Sequence, residues 1–192
     1  IATLEAVFDR QLFSDRDSIL IIDGQLKGDT VVNSFLKPTL VLKCNGEITI
    51  SGGVYRGNIV FISSKQIRVS SGTSLKDVLL FAPKIIFEPG FLGNIQAFAT
   101  DSIIISENAH LLYPSVLGLL QQQNSSPVSA IVLNKGCVVS GNLFAIKNEN
   151  NRKQECGIVM KEGTVVNGQI HSTGFVDVKG VINGSLICNK IM

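Results

Sequence analysis

The chain has 192 residues, 45% of them hydrophobic, which is enough for a continuous core and excludes a disordered polar chain. Lys and Arg number 17 against 15 Asp and Glu, a net charge of +2 with the basic residues scattered, so no phosphate-tracking basic face is predicted. The longest apolar runs, such as Val78 to Pro83, are far too short to span a bilayer as a helix.

The chain opens on Ile1 rather than Met and carries no signal peptide, which reads as a fragment or a processed product with any anchor or leader lying before Ile1. From Ile1 to Phe13 the apolar residues Ile1, Leu4, Val7, Phe8 and Leu12 follow a helical period. This predicts a short amphipathic helix, with residues 1–18 acting as an N-terminal cap. The competing reading is the stub of a longer helix running back into an anchor.

After Ser14 to Ser18 a six-residue spacing begins at Leu20/Ile22, Leu26/Gly28 and Val32/Ser34, is interrupted by Pro38, and resumes from Leu40. It is clearest between Ile67 and Leu111. One series runs Ile67, Thr73, Leu79, Ile85, Phe91, Ala97, Ile103, Ala109; the other, two residues on, runs Val69, Leu75, Phe81, Phe87, Gly93, Ala99, Ile105, Leu111. Residues two apart point to the same side of a strand, so each unit offers a short strand with two inward side chains and then a bend. Three units make 18 residues, at which distance Ile67, Ile85 and Ile103 stack like on like. Glycines at 52, 53, 57, 72 and 90 fall where bends are expected, because Gly adopts positive φ at least cost.

The step from Ile103 to Ile131 is 28 residues, ten more than one such period. The excess predicts a corner loop near 112–130, its Leu117–Leu120 half folding back on a face and its Gln/Asn/Ser half in water. The pattern then returns as an internal copy, Ile131 to Leu143 aligning without gaps on Ile158 to Ile170 at an offset of 27 residues. A second corner loop is expected near 147–157. The run Val165-Val166-Asn167-Gly168 recurs as Val181-Ile182-Asn183-Gly184.

These periods predict one all-β domain over residues 1–192: a single-stranded right-handed parallel β-helix, or solenoid, with three faces and about 18 residues per turn. About eight turns at roughly 4.8 Å per strand make a rod on the order of 40 Å long. Its last turn, ending at Asn189 to Met192, carries no capping helix and is expected to pair with another molecule or to be covered by residues beyond it.

Over Gly163 to Ile170 and Gly180 to Leu186, and in repeat grammar over about residues 131–192, the chain resembles bactofilins, the polymer-forming bacterial cytoskeletal proteins. That resemblance implies end-to-end polymerisation through bare terminal turns and membrane association through a short N-terminal segment. The two corner loops and the helix-like N-terminus depart from the family pattern, which leaves the C-terminal end for association.

No residue set converges on chemistry. The acids Asp77, Glu88, Asp101, Glu107, Glu162 and Asp177 are dispersed, without the paired carboxylates of a sugar-cleaving β-helix, and read as solvated face charges. His110 and His171 are the candidates for the base of a left-handed hexapeptide acyltransferase, but neither has a predictable acid partner and two large inward residues per unit argue against that coil. Cys44, Cys137, Cys156 and Cys188 lack metal-ligand spacing and read as separate thiols, with a Cys137–Cys156 bridge as the alternative. No phosphate loop occurs, and the sequons at Asn124 and Asn183 read as chance. The expectation is a non-enzymatic structural or scaffolding protein of the bacterial cell envelope. It needs no catalytic residue, cofactor or metal, it binds itself or other envelope proteins but no nucleic acid, and it reaches the membrane only through a segment before Ile1. A carbohydrate-binding or carbohydrate-active β-helix is the rival; without Trp and with only Tyr55 and Tyr113 its aromatic signature is weak.

Overall fold

The computed structural model describes residues 17–122, 125–147 and 154–192. The chain forms β1 (Ser18–Ile21), β2 (Gln25–Lys27), β3 (Thr30–Asn33), β4 (Leu40–Cys44), β5 (Ile48–Ser51), β6 (Val54–Gly57), β7 (Ile59–Ser63) and β8 (Gln66–Val69). Longer strands follow: β9 (Ser74–Phe87), β10 (Leu92–Ile105), β11 (His110–Leu120), β12 (Val128–Leu133), β13 (Val138–Ile146), β14 (Glu155–Met160), β15 (Val165–Val178) and β16 (Val181–Ile191). Among the described residues there is no helix. The capping helix expected over residues 1–18 lies outside the described residues except for Asp17 and Ser18, and Ser18 opens a strand.

Alternation of apolar and polar residues makes these segments strands, and the parallel register puts like over like. Ile48 pairs with Ile67, Ile67 with Ile85, Ile85 with Ile103, Ile103 with Ile131, Ile131 with Ile158, and Ile158 with Val176. All seven are fully buried. Each such side chain contributes about 1.5–3 kcal/mol by leaving water. A parallel row also gives it the same shape of neighbour above and below.

The expected single-stranded β-helix is overturned by the way the pairings close. β10 bonds to β11 through Leu92–Ala99 and to β12 through Ser102–Ile105. β15 bonds to β13 through Val165–Ser172 and to β14 through Gly157–Met160 opposite Phe175–Val178. With β11–β13 and β12–β14 joined, β10, β11, β13, β15, β14 and β12 form a closed parallel barrel of six strands. The other strands are bonded outside it, β9 on β10 and β16 on β15, with β1–β8 continuing from β9.

The physical reason is that chain assigned to corners stays in the ladder. No glycine breaks the run Ala99-Thr100-Asp101-Ser102, and the strand turns there through an irregularity: Ala99 pairs with Ala82 and Ser102 with Lys84, three residues against two. One continuous strand thereby acquires two partners on the same side, which is what a ring requires. Elsewhere true turns do interrupt the chain. The amides of Phe91, Ala109, Cys137 and Thr164 each donate to the carbonyl three residues back, at 3.2, 3.3, 3.2 and 3.3 Å. The third residue of these turns has φ of +75° at Gly90, +55° at Asn108, +72° at Gly136 and +71° at Gly163, the left-handed position of a type II turn. Gly72, 18 residues before Gly90, closes a similar turn without positive φ.

The region near 112–130 is corrected as well. Leu112–Leu120 is strand rather than loop, with Leu117 and Leu119 pointing into the core. The ten extra residues divide between two places. From Gly93 to Gln96 is three residues while Leu111 to Val116 is five, a bulge of two. The other eight lie between Leu119 and Ala130, opposite the three-residue step from Ala99 to Ser102. Gln121, expected in water, is 6% exposed and donates to Ser129 Oγ at 3.3 Å and to the Glu155 carbonyl at 2.9 Å. The loop near 147–157 lies mostly outside the described residues, and β14 already begins at Glu155.

Several glycines are demanded by close approach, Gly168 among them. Gly168 has φ of +151°, and a Cβ there would collide with the Gly141 carbonyl oxygen on the neighbouring strand. Gly168→Ala is expected to cost about 2–4 kcal/mol and to lower the urea midpoint accordingly. Gly72→Ala, with open space around it, is expected to stay within about 0.5 kcal/mol of the wild type. Equilibrium denaturation of both variants checks the pair.

Candidate functional site

Polar side chains are spent mainly on the bends. Ser63 Oγ donates to the Gly46 carbonyl at 2.6 Å, Thr73 Oγ1 to Ile50 at 3.0 Å and Thr164 Oγ1 to Lys161 at 2.8 Å. The acids singled out in the sequence do not converge. Asp77 is tied to Asn94, Glu88 forms a partly exposed pair with Arg68 at 3.7 Å, and Asp101 accepts the Ser126 amide at 2.8 Å. His110 sits on an outer row between Leu92 and Val138, and His171 between Phe144 and Ile187. Apolar neighbours of this kind give neither imidazole an acid to orient it. Among the described residues no group of three or more His, Cys, Asp or Glu is placed to hold a metal ion.

All four cysteines are free, so the Cys137–Cys156 bridge does not form. Cys137 replaces a turn hydroxyl: it aligns with Thr164, and its Sγ–H donates to the Ser106 carbonyl at 2.9 Å. Burial raises the Cys137 thiol pKa and pushes that of Cys156 up to about 12. Tyr55, one of the two tyrosines counted toward the rival carbohydrate reading, is fully buried, packed edge-on against Phe61 with ring centroids 5.5 Å apart. Its hydroxyl donates to Asp29 Oδ2 at 3.2 Å. Burial first, then the nearby Asp29 charge, raises its pKa to about 12.

Two surfaces remain that polar chemistry does not explain. The first is the free edge of β16. Its inward residues Ile182, Leu186 and Cys188 lie over Val166, Ile170 and Ser172, which are buried, yet they are themselves only half covered. Beside this row runs an amide ladder: Asn183 Nδ2 donates to Asn167 Oδ1 at 2.9 Å, and Asn167 Nδ2 to Ser140 Oγ at 3.4 Å. Asn183 Oδ1 is the next acceptor of that series, on the open side. Among the described residues β16 pairs only with β15. No sequence signal beyond the recurrence of Val165–Gly168 as Val181–Gly184 marks this edge.

The second surface is an aromatic row on the outer face of the long strands. Ile62, Phe81, Phe98, Gly118, Phe144, His171 and Ile187 follow one another in register. Phe81 and Phe98 stack with centroids 5.1 Å apart and planes 13° from parallel, and Phe98 and Phe144 tilt together at 6.0 Å across Gly118. A Cβ at Gly118 would stand 2.5 Å from Phe144 Cζ and 2.6 Å from Phe98 Cδ1, so the glycine makes room for both rings. Next to the row lies a groove of about 490 Å³ lined by Ile62, Phe81, Pro83, Phe98, Thr100 and Leu120 among others. The row was missed in the sequence because the six-residue series placed Leu79 and Phe81 inward; Val78, Leu80 and Ala82 are buried instead, since the strand slips by one residue at Asp77, which has φ of +58°.

Comparison with protein-family models, with curated proteins and with solved structures finds no match to this chain.

Two outcomes follow from the buried groups. In the native protein a thiol reagent is expected to modify Cys188 first, and Cys44, Cys137 and Cys156 only on unfolding, as a time-resolved thiol count with and without denaturant will show. The raised Tyr55 pKa means that the folded state holds its proton where the unfolded state has lost it. Its contribution to stability is therefore complete below pH 10.0 and lost as pH rises towards about 12. Tyr55→Phe is expected to flatten the fall in stability across that window, measured by denaturation at stepped alkaline pH.

Proposed function

We propose that this protein is a structural or scaffolding element that acts by self-association through the open edge of β16. The observation that carries the reading is the combination of an unpaired backbone edge with half-covered apolar side chains at Ile182 and Leu186. Protective edge strands usually carry several charges, a proline or a bulge at an exposed ladder. Over its eleven residues β16 has a single charge, Lys190, and no proline. A second strand laid on that edge would satisfy its free N–H and C=O groups, complete the cover over Ile182 and Leu186, and extend the Asn183–Asn167–Ser140 ladder by one rung.

The resemblance of residues 131–192 to the bactofilin repeat agrees with association at this end. The dispersal of the acids and the apolar surroundings of both histidines favour a binding role over catalysis. No comparable feature favours the carbohydrate reading, since Tyr55 is buried and Tyr113, 79% exposed, stands without an aromatic neighbour among the described ring contacts.

Sedimentation velocity across a wide range of protein concentration is expected to show mass growing with concentration. Cys188, on the half-covered row, should react with a thiol reagent more slowly as the assembly grows. Leu186→Glu places a carboxylate where the monomer still hydrates it but the assembled edge would not, and is expected to abolish the concentration dependence while leaving the fold intact. A monomer at every concentration, with Cys188 reactivity unchanged, would remove the proposal.

A further inference from the structure

Among the described residues fifteen large apolar side chains are exposed, and six of them, Ile19, Leu20, Ile21, Val32, Phe35 and Leu36, crowd into β1, β3 and the turn that follows β3. Among the described residues these strands are bonded on one side only, β1 to β4 and β3 to β6. The extreme case is the turn Ser34-Phe35-Leu36-Lys37, in which Leu36 is 98% exposed and Phe35 68%. Exposed apolar pairs usually sit on polypeptide that can fold them away. This turn cannot, because it is fastened at its tip and at its root. The Lys37 amide donates to the Ser34 carbonyl at 3.0 Å and the Leu36 amide to Ser34 Oγ at 3.1 Å. Below them Asn33 Nδ2 donates to the carbonyls of Pro38 at 2.9 Å and Asn58 at 2.8 Å, while Asn58 Nδ2 donates to the Lys37 carbonyl at 3.1 Å.

The charges around the tip differ in reach. Lys37 closes the turn, and behind the exposed Val32 the register places Arg56 and then Lys76, both exposed. The nearby acids are short and engaged: Asp17 Oδ1 accepts the Thr39 amide at 2.9 Å, Asp29 Oδ2 the Tyr55 hydroxyl at 3.2 Å and Asp77 Oδ1 the Asn94 amide group at 3.1 Å. Lys and Arg, by contrast, can lay their stems along an apolar surface and carry the charge beyond it. An exposed Phe and Leu held in a fastened turn, with Lys37 in the turn and Arg56 and Lys76 in one row beside Val32, have the layout of an interfacial anchor, apolar below the headgroups and basic at their level.

We propose that the Ser34–Lys37 turn inserts Phe35 and Leu36 into a lipid bilayer surface, with Lys37, Arg56 and Lys76 facing anionic headgroups. A bilayer takes a projecting side chain of any shape, whereas a protein partner would have to offer a socket for Leu36. The site is independent of the β16 edge and does not rest on the self-association proposed for it.

The test is flotation of the 192-residue chain with vesicles of phosphatidylcholine alone and of phosphatidylcholine mixed with phosphatidylglycerol. The wild type is expected to float with the anionic vesicles and to be released by salt. Phe35→Ser combined with Leu36→Ser is expected to weaken binding roughly tenfold or more, and Lys37→Glu severalfold. Both positions are exposed, so the thermal midpoint should stay within a few degrees. The chain has no Trp, so Leu36→Trp supplies a single reporter whose emission should shift to the blue on anionic vesicles. Absence of flotation by the wild type, or equal flotation by the double variant, overturns the proposal. So does an emission shift of the Leu36→Trp variant that follows protein concentration without vesicles, which would assign the tip to a second copy of the chain.

Discussion

The parallel backbone ladder is the constraint on which the rest of this structure depends. Among the described residues every strand pairing is parallel, so each interior residue of the ladder meets the equivalent residue of its neighbours on both sides. Inward rows must then be apolar throughout, because one polar member would face apolar neighbours above and below with no partner. Ile85 between Ile67 and Ile103 shows the rule kept, and Ser172 between Ala145 and Cys188 shows its exception, with the Ser172 hydroxyl donating to the Phe175 carbonyl at 3.2 Å. A ladder also has ends, and there the same N–H and C=O groups that hold the interior together are left for a partner.

The distribution of polar side chains follows from this. Where the chain leaves the ladder its backbone groups need other partners, and Ser63, Thr73, Asn33, Asn58 and Thr164 supply them. Little is left to build a reactive centre, and the acids and histidines lie apart. What distinguishes the surface is apolar instead: the half-covered row of β16, the phenylalanine row beside its groove, and the fastened tip at Phe35 and Leu36. Each is held by the scaffold in a fixed position, so the entropy lost on binding is small.

Much of the local order was legible in the residues. The series through Ile67, Ile85 and Ile103 pairs as its spacing implies, and the two later copies pair Ile131 with Ile158 and Val165 with Val181. The reason is that a repeated inward position leaves a repeated apolar letter. Other features left no such trace. The ten extra residues before Ile131 were countable, but their division into a bulge after Leu111 and a longer segment after Leu119 depends on which side chains the core accepts. Gln121 looked like a solvent residue and is buried because Ser129 and Glu155 meet its amide. Asn108 was indistinguishable from a loop asparagine, though it occupies the turn position that Gly90, Gly136 and Gly163 hold elsewhere.

Residue order alone set most of the inward rows and where most turns fall, since these follow from short-range periodicity and backbone sterics. It put Leu79, Phe81 and Val32 on the wrong face, because a one-residue slip such as that at Asp77 reverses the side chains that follow it. It did not decide how the strands close. Whether the chain breaks at Thr100 and Asp101 or bends within the ladder depends on a balance between local backbone preference and the hydrogen bonds offered by β9, β11 and β12 together. That balance is settled only when all the strands are present. Its outcome turned an expected open coil into a six-strand parallel barrel with further strands bonded outside, and left β16 paired on one side only among the described residues.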